Sequence, residues 1–99
     1  MPPFDWPDAA SRLLKAELVR EKLTFAQLAE RLRGLGIPET EASVKNKLFR
    51  GTFSTTFLMQ CMAALGREVL FVGSVLPAEM PRGTALSASQ IAAGSSADE

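Results

Sequence analysis

The sequence predicts an all-α domain of four to five helices closed by one short C-terminal β-strand. Three observations lead there. Apolar residues recur at helical spacing across residues 8–66, cap-forming Asp, Thr or Ser precede the periodic segments, and one β-branched run, "EVLFVGSVL", follows the last of them. Apolar residues make up 46% of the 99, enough for a single packed core and too many for wholesale disorder. Residues 1–7 form a Pro-rich lead-in, residues 8–76 the patterned domain, and residues 77–99 a Ser-, Ala- and Gly-rich tail expected to be flexible.

The first helix is expected to begin near Asp8, whose carboxylate can accept backbone N–H bonds as a cap. Ala10, Leu13, Leu14 and Leu18 share one stripe. Glu17 and Glu21 lie near its edge, where they reach water, and Trp6 is placed to fold over it. The second helix has the clearest start. Thr24 and Gln27 form a capping box, and Leu23 with Leu28 forms the accompanying hydrophobic staple. Phe25, Leu28, Ala29 and Leu32 make its inner face, and Gly34, Gly36 and Pro38 stop it.

Thr40 caps the third helix and Gly51 ends it. Val44 and Leu48 define its inner side, extended by Ala42 and Phe49, while Ser43, Asn46, Lys47 and Arg50 fall opposite. The fourth helix follows Ser54 and ends at Gly66, with Phe57, Leu58, Cys61, Met62 and Leu65 inward. In the closing strand Val69 and Phe71 alternate with Leu70 and Val72. An apolar, nearly uncharged strand with no partner in its own domain is expected to pair with its copy, giving a homodimer through residues 68–76.

Several function classes drop out on composition. There is no histidine and a single cysteine, Cys61, on an apolar stripe. The commonest general base and metal ligand are therefore missing, and nothing activates the thiol. Neither a nucleophile–base pair, nor a Gly-rich phosphate loop, nor a metal set is present, so no enzyme, cofactor or metal is expected. The opening "MPPFDWPD" does not read as a secretory signal, and no apolar run approaches the roughly 20 residues of a membrane span. A cytoplasmic protein is expected.

Net charge is zero. Basic residues nevertheless outnumber acidic ones between Ser11 and Val72, while Asp5, Asp8, Glu79, Asp98 and Glu99 outweigh Arg82 in the flanks. The domain is thus mildly basic beneath a neutral total.

Two helices joined by a Gly-containing turn, the second with a polar outer face, fit a helix-turn-helix. The stretches "TFAQLAERL", "SVKNKLFRG" and "FLMQCMAALG" resemble the Xre/λ-repressor-like helix-turn-helix family through Leu28-Ala29, through Val44 with Arg50-Gly51, and through Leu65-Gly66. The longer pattern over about residues 6–72 is similar to a bacterial domain family of unknown function. The repressor-like resemblance implies sequence-specific binding of double-stranded DNA by a small transcriptional regulator. On that pattern Asn46 would pair with adenine, Lys47 or Arg50 with guanine, and Ser43 with a phosphate or base. Lys45, Arg31 and Arg33 would anchor phosphates.

One departure stands out. The connection "RGLGIPETE" is several residues longer than the repressor pattern and brings Glu39 and Glu41 to the end of the helix that would face base edges. The competing expectation is a protein-interaction module that keeps the fold without binding DNA and uses the Glu39–Glu41 turn as part of a partner surface.

Overall fold

The computed structural model describes residues 3–81 and 83. Of the predicted lead-in and tail, residues 1–2, 82 and 84–99 lie outside the described residues. Four helices are observed: α1 (Trp6–Arg20), α2 (Phe25–Gly34), α3 (Glu41–Arg50) and α4 (Thr55–Leu65), followed by a 3-10 turn at Val72–Val75.

Capping fixes most of these boundaries. Thr24 at α2 and Thr40 at α3 both form reciprocal capping boxes, with Gln27 and Ser43 respectively, and the Ser54 side chain accepts from the Phe57 amide at α4. Helix α1 starts earlier than expected. Asp5, rather than Asp8, is its cap and accepts from the Asp8 amide at 3.0 Å. Pro7 is tolerated in the first turn because an amide there has no helical partner anyway.

The α1 terminus was not visible in the sequence because Lys22, not glycine, adopts the left-handed conformation (φ 55°). Two amide-to-carbonyl bonds, Leu23 to Leu18 and Lys22 to Val19, close the turn and turn the chain directly into α2.

The core gathers Leu14 and Leu18 from α1, Leu28, Ala29 and Leu32 from α2, Val44 and Leu48 from α3, and Phe57, Cys61, Ala64 and Leu65 from α4. Helix α3 packs against both α1 and α2, and α2 packs on α4. Each fully buried Leu contributes roughly 1.5–3 kcal/mol, so all four helices are held through one shared cluster rather than by local propensity.

The predicted strand is not observed. Residues 68–71 are irregular, and the chain coils into the 3-10 turn, where the Ser74 amide and hydroxyl both donate to the Phe71 carbonyl. Gly73-Ser74 favours a turn, and no neighbouring strand offers backbone partners among the described residues. Val69, Phe71 and Val72 are exposed and Leu70 half-buried, so these residues present no ladder edge for a second copy. The basis for expecting a strand-paired homodimer is therefore gone.

Other side chains also depart from the pattern. Glu17 is buried, not hydrated at the stripe's edge. It accepts from Arg67 Nε at 3.0 Å and also from Arg20, while Glu21 lies 3.6 Å from Arg67. A helical wheel places residue 17 correctly but cannot show a cation arriving from 50 positions away. Trp6 does not cover the core; it is exposed and stands edge-on to Phe4. No helix among the described residues is long and apolar enough to cross a membrane.

Candidate nucleic-acid interface

Helix α3 carries the residues of interest. Its buried stripe is Val44 and Leu48 alone. The remaining surface divides into two rows that the sequence had merged into one.

The inner row is Ser43 and Lys47, one helical turn apart, and both face Glu39. The Glu39 carboxylate, 7% exposed as a residue, accepts from the Ser43 hydroxyl at 2.6 Å and from the Lys47 ammonium. Lys47 also stands over the Phe57 ring, 4.9 Å from its centroid. Burial pushes the Glu39 carboxyl up, but the hydrogen bonds from Lys47 and Ser43 and the Lys47 charge outweigh it and hold the group below its ordinary range. Arg33 donates to the Glu39 backbone carbonyl at 2.8 Å. The connection between α2 and α3 is therefore anchored at its last buried residue from both helices.

The outer row is Lys45, Asn46, Phe49 and Arg50, all exposed. Among the described residues Lys45, Asn46 and Arg50 have no side-chain hydrogen bond or ion pair. Ala42 and Phe49 were expected to extend the inner side, but both are exposed. Phe49 lies about 100° around the helix from Leu48 and is 53% exposed. Its ring meets Phe25 edge-on at 5.7 Å, with Lys15 from α1 4.0 Å from its centroid and Lys45 at 5.8 Å. Lys15 was missed altogether, since nothing in the sequence links α1 to this face.

Arg50 and Lys47 line a cavity of about 250 Å³ with Thr52, Phe53, Ser54 and Phe57, where α3 hands over to α4. Arg31 is elsewhere. It donates to the Ala64 carbonyl at 3.2 Å, near the far end of α4. That is about 10 Å along the helix axis from Phe57. The structure thus brings Ser43, Lys47 and Arg33 to Glu39, sets Lys45, Asn46 and Arg50 outward, and leaves Arg31 apart.

Of the two carboxylates in the long connection, Glu39 points inward and is paired; Glu41 alone stays exposed at the start of α3.

Cys61 lies beneath this region, fully buried, with its thiol pushed up to about 12 by burial and then by the Glu39 charge, partly offset by Lys47. The native protein is accordingly expected to resist alkylation near pH ~8, where the thiolate is scarce, and to react only as denaturant unfolds it. Native labelling as fast as that of the unfolded chain would show that the core opens readily here.

A family profile described as a domain of unknown function (DUF6471) matches residues 6–70. No curated protein and no solved structure matches the chain.

Proposed function

The chain belongs to this DUF6471 domain family, and we propose that it is a small DNA-binding regulator of Xre/λ-repressor-like design, with α2 and α3 as its helix-turn-helix and α3 as the reading helix. The observation that carries the proposal is the exposed row Lys45, Asn46 and Arg50 on the second helix of the pair, with Glu39 turned away from it. Asn46 has the two-pronged amide that suits adenine, and Arg50 the fork that suits guanine. Lys15 and Lys45, both close to the Phe49 ring, supply positive charge for the phosphate backbone.

Arg33 is held at the turn and Arg31 at the end of α4, so both serve the fold before any phosphate. With Lys15, Lys45 and Arg50 as phosphate or base contacts, random-sequence duplex should bind with a salt slope of about −3 in log Kobs against log salt. Fluorescence anisotropy at two salt concentrations, about 50 and 200 mM, measures it. On a site that offers Arg50 its guanine, Arg50→Ala should weaken binding roughly 5- to 150-fold. A protein that stays folded yet shows no binding at the lower salt rules the regulator reading out.

A second reading, an interaction module that does not touch DNA, draws on a different feature. An apolar cleft of about 410 Å³ lies among Leu18, Val19, Leu23 and Phe25, with Lys15 and Glu41 also lining it and Val19 76% exposed. Under this reading Glu41 remains available to a partner, whereas Glu39 is committed internally.

A further inference from the structure

Lys47 belongs to α3 and lines the cavity beside Arg50, yet its anion is already supplied from within the chain. We infer that Glu39 stands in for a DNA phosphate at Lys47, so that this cation is withheld from the nucleic acid and the protein's non-specific affinity is kept down. The inference rests on the DNA-binding reading.

Three features support it. First, the Glu39 carboxylate has one oxygen on Ser43 and the other on Lys47, the arrangement of acceptors that a phosphate's two free oxygens would offer. Second, the pair is unevenly placed. The Glu39 side chain is 10% exposed and that of Lys47 44%. A phosphate that took the ammonium away would leave a nearly buried carboxylate uncompensated, which proteins tolerate poorly. Third, the Phe57 ring face holds Lys47 from another side. Salt screens phosphate contacts at the surface far more than it screens a partly buried pair, so the internal contact persists where the external one weakens.

Asn46 and Arg50 have no such internal anion among the described residues, so base reading is left untouched while one unit of sequence-blind attraction is removed.

The test compares the wild type, Glu39→Gln and the double variant Glu39→Gln/Lys47→Met on random-sequence duplex across a salt series, with circular dichroism to establish folding. Glu39→Gln frees Lys47 and should steepen the salt slope by about 0.9, with binding at ~0.1 M salt about 8-fold tighter. The double variant, which leaves no unpaired buried charge, should return to the wild-type slope. It remains informative if the single variant does not fold. An unchanged slope in a folded Glu39→Gln overturns the inference. So does a double variant whose slope is shallower than wild type by about 0.9, since Lys47 would then already be touching phosphate. If wild type, single and double variants all fail to bind, it is the DNA-binding reading that fails, and the inference falls with it.

Discussion

Gly51→Ala is expected to destabilise the protein by about 3 kcal/mol, lowering Tm by roughly 10–20 °C in a thermal melt. Gly51 ends α3 at φ 67°, a left-handed conformation in which a side chain is strained. That strain alone is worth about 1 kcal/mol. The larger part comes from α1. A Cβ at position 51 would fall 1.7 Å from the Pro7 carbonyl oxygen and 2.4 Å from its carbon. Both are backbone atoms, so relief requires lifting the first turn of α1 off the end of α3. Gly66→Ala is the matched control. Its φ is 69°, but nothing lies within 4 Å of the added carbon, so only the conformational cost of about 1 kcal/mol is expected. Equal losses for the two variants would mean that the contact between α1 and the end of α3 carries no weight.

Arg67→Met is expected to cost about 2–3 kcal/mol. Glu17 is 1% exposed and has Arg67 Nε at 3.0 Å. Removing that cation leaves a buried carboxylate with Arg20 as its remaining cation, and Arg20 is itself 47% exposed along its side chain. The same contact ties the chain after α4 to α1, against which the 3-10 turn packs. Urea denaturation should therefore show the loss in midpoint, and amide exchange should quicken in residues 68–76. Glu17→Leu/Arg67→Met, which removes both charges together, should recover much of the stability. A single variant within ~0.5 kcal/mol of wild type, the range of an ordinary surface change, would show that Arg20 alone neutralises Glu17.

The helices could be read from the sequence because their signals are local. Thr24-x-x-Gln27, Thr40, Ser54, Gly51 and Gly66 act through bonds spanning a few residues, and each works as its neighbours predict. What escaped was long-range or conformational. Lys22 in a left-handed turn has no residue-type signature, and the Glu17–Arg67 pair joins positions 50 apart. The run "EVLFVGSVL" has strand composition, but strand formation needs a partner that residues 68–76 do not meet among the described residues. On α3 the wheel placed Val44 and Leu48 inside, but it put Ala42 and Phe49 there too, and both are exposed. It could not tell which polar residues face solvent and which face Glu39, a carboxylate five residues past the end of α2; Ser43 and Lys47 therefore looked like Asn46 and Arg50. Phe49 illustrates the opposite error, in which apolar character was taken for burial.

The anchoring of Glu39 changes how the length of the α2–α3 connection should be weighed. Extra residues between two helices ordinarily let them hinge. Here Arg33 grips the Glu39 carbonyl from one side, while Ser43 and Lys47 grip its carboxylate from the other. The connection is fastened at its far end by groups from both helices, so its length alone does not measure how loosely α2 and α3 are joined.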